Sequence, residues 1–124
     1  MILGVGIDAV RIDRLKEWES KPNVLDRFFH PRELEQILKR GKGSLQSLAA
    51  RFAAKEAYGK ALGTGLKGVS LREIRIDTDD LGKPHLLVYG KAKNQLEALG
   101  GKYLFVSLTH ETEHAIAVVV IEGE

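Results

Sequence analysis

Residues 44–65, SLQSLAARFAAKEAYGKALGTG, limit what this chain can become more than any other stretch. Their Ala- and Leu-rich body favours helix. Ser44 is a natural N-cap, and Gly63 and Gly65 are natural stops. At about 100° per residue, Leu45, Leu48, Ala49, Phe52 and Ala53 fall on one stripe, the face a helix buries. Glu56 lies near the middle of that stripe, with Lys60 one turn further along the same side. A carboxylate on a core-facing line is costly unless a cation or hydrogen-bond donors compensate it. Glu56 is therefore either half of an i,i+4 ion pair with Lys60 or a ligand for something positive.

With 124 residues, 44% of them hydrophobic, the chain is expected to form one domain, 1–124, around one core. Nineteen Lys and Arg face 17 Asp and Glu, which argues against a polybasic nucleic-acid tail, although a pI near 8.9 leaves room for a local basic face. Without cysteine there are no disulfides, thiolate zinc sites or cysteine nucleophiles. The apolar start, ILGVGIDAV, has no basic residues before it and contains Asp8, so it reads as a strand rather than a signal peptide. No segment is long enough to cross a bilayer. The expectation is a soluble cytoplasmic protein that binds neither membrane nor nucleic acid.

Residues 2–10 form an apolar, β-branched strand in which Gly4 and Gly6 allow close backbone approach. Helix is expected from near Arg11, with Ile12 and Leu15 on one face, Arg11, Arg14 and Trp18 on another, and Pro22 at its end. That second face is either a solvated basic surface with a half-buried Trp or a docking face for an acidic partner, extended by Lys21 and Arg27. Pro31 opens a short helix to Leu38, closed by Gly41 and Gly43. Residues 73–77 and 85–89 alternate as strands around the turn 79–84, giving a hairpin. Residues 90–99 hold a short helix with Ala92, Leu96 and Leu99 inward; 103–108 and 115–121 are two apolar strands. This mixture indicates an α+β fold of small helices and antiparallel strands.

The joint between the last strands reads His110-Glu111-Thr112-Glu113-His114, which matches the zinc-protease string HExxH. That chemistry needs both histidines on one helical face and a third ligand elsewhere. Here the string lies between two strand-like runs, so it reads as a hairpin connection.

Three other stretches, taken together, resemble holo-acyl-carrier-protein synthases, the small stand-alone class of phosphopantetheinyl transferase. They are Gly6-Ile7-Asp8, Arg51-Phe52-Ala53-Ala54-Lys55-Glu56-Ala57 and Ser107-Leu108-Thr109-His110. The likeness extends to chain length, to Gly63-Thr64-Gly65 and to the Gly82-Lys83-Pro84 turn. It departs at His114, where the family commonly has an aromatic residue.

The resemblance implies the 4'-phosphopantetheinyl transferase fold and transfer of the phosphopantetheine arm of coenzyme A to a serine of acyl carrier protein. The products are holo carrier protein for fatty acid biosynthesis and adenosine 3',5'-bisphosphate. It implies Mg²⁺ held by Asp8 and Glu56, with Glu56 as the base, directly or through a water on the ion. Lys60 would serve the leaving group and His110 the coenzyme A phosphates. Arg51 and Lys55 would add charge near the nucleotide, although either residue is equally readable as a solvated helix position. Gly63, Gly65, Gly82, Lys83 and Pro84 would complete the coenzyme A site, with the last three beside the adenine. The carrier would dock on Arg11, Arg14 and Lys21, and the chain would form homotrimers with sites between subunits. Two rival readings are a related binding module without catalysis and a zinc hydrolase built on the HETEH string.

Overall fold

A computed structural model describes all 124 residues. Strand β1 (Ile2–Arg11) leads into a 3-10 stretch, Ile12–Ser20, and then into helices α1 (Pro22–Phe28), α2 (Pro31–Leu38) and α3 (Ser44–Leu62). Strands β2 (Ile74–Thr78) and β3 (Pro84–Val88) form a hairpin, followed by helix α4 (Gly90–Leu99). Strands β4 (Tyr103–His110) and β5 (His114–Glu122) end the chain. The fold is α+β with two antiparallel sheets, one ordered β1-β5-β4 and the other formed by β2 and β3 alone. No helix is long and apolar enough to cross a membrane.

The long helix lies across β1 and β5, and its small residues explain how closely. A methyl group at Gly6 would collide with the Ala57 carbonyl oxygen, and one at Gly4 with that of Ala61. Helix and strand therefore approach nearer than side chains ordinarily permit. Along β5, Ala115, Ala117, Val119 and Ile121 point into the core while the residues between them face the other way.

The structure corrects several sequence expectations. Helix α3 buries most of its circumference rather than one stripe: Ala49, Ala53 and Ala57 on one side, Arg51, Lys55 and Tyr58 on another. Covered by the sheet, the hairpin and other helices at once, it needs no polar face. Its N-cap is Gly43; the Ser44 hydroxyl instead donates to Glu19 Oε2 at 2.8 Å. The expected stop is present, because Gly63 adopts φ 82°, where L side chains are strained. Pro22 does not merely end a helix. It opens α1 at its first turn, after a 3-10 stretch ending at Ser20. Leu99 remains exposed, whereas Ala92 and Leu96 are buried.

Candidate active site

Asp8 and Glu56 come together from β1 and α3. Asp8 pairs in register with Ala117 and so lies on the helix-covered face of the sheet, at its β1 edge. Glu56 is half-buried beside it. Burial, then the Asp8 charge, push the Glu56 carboxyl above its ordinary range, while Lys60 and Arg14 pull it back. The Glu56–Lys60 ion pair that helix spacing offers does not form. Lys60 Nζ reaches Asp8 Oδ1 instead, at 2.9 Å, which raises the Lys60 ammonium through that hydrogen bond and the Asp8 charge. Asp8 thus takes the lysine, and Glu56 has only the longer-range charge of Lys60 and Arg14 to offset it.

A second feature lies on the other side of α3. A cavity of about 720 Å³ is walled by Gln46, Ser47 and Arg51 of α3, by Gly82 and Pro84 of the hairpin turn, and by His110 at the end of β4. Arg40 and Lys42 line it from the loop before α3, so the cavity is markedly basic. His110 is exposed within it. At 100° per residue, Ser47 and Glu56 stand about 180° apart around the helix. Neither Asp8 nor Glu56 lines this cavity, so the acidic pair and the basic cavity are separate features of one chain.

The structure redistributes the remaining sequence candidates. Lys55 is not a solvated helix residue. Its ammonium is wholly buried, 2.7 Å from Glu33 Oε1 and 2.9 Å from the Leu71 carbonyl, and it also donates to the Ile74 carbonyl. Burial pushes it down to about 8 against the opposing pull of Glu33. Arg51 touches the cavity, but its guanidinium already donates to the Ile76 carbonyl, Ser47 and Gln36. Burial lowers its affinity for a proton. Gly82 and Pro84 line the cavity and Lys83 does not. Gly63 and Gly65, both with positive φ, turn the chain after α3 and do not line the cavity. Arg11 sits 3.4 Å from Asp13 and Lys21 3.7 Å from Glu17, whereas Arg14 is in no such pair. Trp18 packs against Phe28 and Phe52, with ring centroids 5.1 and 5.2 Å apart.

The HETEH string spans the end of β4, the turn and the start of β5, with no helix to align its histidines. Glu111 Oε1 caps the turn by accepting from Glu113 N at 3.0 Å and lies 3.0 Å from His114 Nδ1. Arg40, Lys42, Gln46 and Ser47 were missed in the sequence. The one signal for them was a pair of cations spaced by glycine just before the long helix.

The sequence model of the 4'-phosphopantetheinyl transferase superfamily matches residues 4–119. The chain belongs to that superfamily. It is 50% identical to the holo-[acyl-carrier-protein] synthase of Treponema denticola over 99% of this chain and 100% of that protein. Among solved transferase structures, that of the Neisseria meningitidis synthase superposes with a TM-score of 0.87 at 38% identity, covering 98% of this chain and 99% of that one. The Helicobacter pylori synthase, solved in complex with coenzyme A, superposes with a TM-score of 0.80 at 33% identity over 95% and 99%.

Proposed function

We propose that this chain transfers the 4'-phosphopantetheine arm of coenzyme A to a serine of apo acyl carrier protein and releases adenosine 3',5'-bisphosphate. The observation that carries this reading is the acidic pair Asp8–Glu56 on one flank of α3 with a basic cavity on the other. Coenzyme A needs both: cations for its nucleotide phosphates, and a proton acceptor where the serine attacks.

In the reaction the serine oxygen forms a bond to the phosphorus nearest pantetheine. The bond from that phosphorus to the bridging oxygen breaks, and the electron pair leaves with the nucleotide. The serine proton must go to a base. Glu56 suits that task, because partial burial and the neighbouring Asp8 charge raise its proton affinity toward working pH. The departing phosphate gains charge, and Lys60, exposed and fully cationic, is the nearest compensating group. His110, Arg40 and Lys42 would hold the phosphates at the nucleotide end.

Asp8 and Glu56 also suit Mg²⁺. They offer two hard oxygen donors with incomplete positive compensation, and no third His, Cys, Asp or Glu joins them to close an all-protein cage. Mg²⁺ characteristically takes one or two carboxylates and completes its shell with phosphate and water. Bound there, it would neutralise charge on the pyrophosphate.

The assembly we propose is a homotrimer. The sheet face turned away from α3 carries Val5, Ile7 and Phe105, each more than half exposed, beside Ile116, Val118 and Val120 of β5. An apolar sheet face of this kind on a soluble chain is usually covered by a partner. In such a trimer the basic cavity of one copy would meet the acidic pair of the next. Arg14 borders the acidic pair, so a carrier protein docked on Arg11, Arg14 and Lys21 would deliver its serine to Glu56. The test is chromatographic. Adenosine 3',5'-bisphosphate should accumulate only when coenzyme A, apo carrier and Mg²⁺ are all present, and its formation without carrier would contradict transfer.

A further inference from the structure

Strand β2 has a strand neighbour on one side only, yet its open edge is fully hydrogen-bonded. Lys55 Nζ donates to the Ile74 carbonyl. Glu33 Oε2 accepts from Ile76 N at 3.1 Å, and Arg51 Nε donates to the Ile76 carbonyl at 3.1 Å. Gln36 Oε1 accepts from Thr78 N at 3.1 Å while its Nε2 donates to the Thr78 carbonyl at 3.2 Å. Four side chains from α2 and α3 thus meet alternate residues of β2 just where the next strand of a sheet would. They are also cross-linked: Lys55 to Glu33 at 2.7 Å, and Arg51 NH2 to Gln36 Oε1 at 2.7 Å.

Covering a strand edge with apolar side chains would leave its N–H and C=O groups unpaired, and the buried Glu33–Lys55 pair is costly to desolvate. What the polar solution adds is register. Each bond joins one side-chain atom to one backbone atom of β2, so the strand cannot shift along its axis without breaking several at once. The hairpin so fixed carries Thr78, Gly82 and Pro84 into the basic cavity, and Arg51 is both a rung of the network and a wall of that cavity. Glu33, Gln36 and Lys55 do not line it.

We propose that Glu33, Gln36 and Lys55 are positioning residues for the cavity, replacing a missing strand and setting the β2–β3 turn at a fixed height over α3 so that both meet the nucleotide end of coenzyme A. This rests on the coenzyme A reading of the cavity given above. Gln36 is the residue to test, because it lies at the network's less buried end. Gln36→Met keeps length and removes every bond; Gln36→Glu keeps the acceptor for Thr78 N and Arg51.

The measurements are transfer kinetics with coenzyme A varied, together with hydrogen exchange at the Thr78 amide. Gln36→Met should speed Thr78 exchange and raise the coenzyme A KM roughly fivefold, with kcat and carrier KM near wild type, the pattern of binding lost equally from ground and transition states. Gln36→Glu should recover most of that loss. Fast Thr78 exchange with a wild-type coenzyme A KM would make the network structural alone and overturn the proposal, as would failure of both variants to fold. A fall in kcat at unchanged KM would also overturn it. Wild-type protein that neither transfers nor binds coenzyme A in calorimetry would instead remove the reading of the cavity itself, and the proposal with it.

Discussion

Glu56 is half-buried beside Asp8, and its carboxyl is held above the usual range. Its folded value exceeds its unfolded one, so the ionised form weighs against the fold at pH values above both. Glu56→Gln should therefore raise Tm in EDTA at pH 7. The gain should shrink as pH falls through the folded value and vanish below the ordinary 4.5. An ion-pair role for Glu56 forecasts the opposite, a lower Tm at pH 7. In transfer assays Asp8→Asn and Glu56→Gln should each cost at least about a hundredfold, and the double variant little more, because paired groups act as a unit. Near-normal turnover by Glu56→Gln would end its role as base. Glu56 stood out in the sequence as a carboxylate on an apolar helix stripe, whereas Asp8, on a strand, was singled out by the family resemblance alone. The solvated reading of Lys55 failed for a physical reason. Its partner Glu33 lies 22 positions away on a helix whose own pattern gave no sign that a charge would be buried.

Among the elements, the contact of β1 with α3 does most to place the acidic pair. Gly6→Ala should cost about 3 kcal/mol, since the new methyl meets helix backbone that cannot move aside as a side chain can. Thermal melts check the stability. Loss of Mg²⁺-induced stabilisation in variant that remains folded would show Asp8 displaced from Glu56, whereas wild-type stability would contradict the close approach. The 3-10 stretch makes a separate forecast through Arg14, which is in no ion pair. Arg14→Glu should raise the carrier KM several-fold, more at low salt than at high, and leave the coenzyme A KM unchanged. A defect confined to coenzyme A would contradict docking there. Most elements could be read from periodicity, including α2, α4 and the hairpin. Two features could not. A 3-10 stretch has no distinct hydrophobic period, and a helix enclosed on nearly all sides loses the amphipathic signal that would orient it.

At the scale of the whole molecule, the proposed homotrimer would bring the two flanks of α3 in neighbouring copies together. Ile7→Asp places a charge on the exposed apolar sheet face and should shift the protein from trimer to monomer in sedimentation, with loss of transfer. A wild-type chain that sediments as a monomer at micromolar concentration would contradict the assembly. Nothing in the sequence pattern alone revealed that division. The strands looked apolar on both faces, and only the register of β1, β5 and β4 separates the face that α3 covers from the one left open. The most direct test of the account is the intact mass of purified apo acyl carrier protein before and after incubation with this chain, coenzyme A and Mg²⁺. A gain of one phosphopantetheine on the carrier serine is predicted, abolished by Glu56→Gln; an unchanged carrier mass would contradict the assignment.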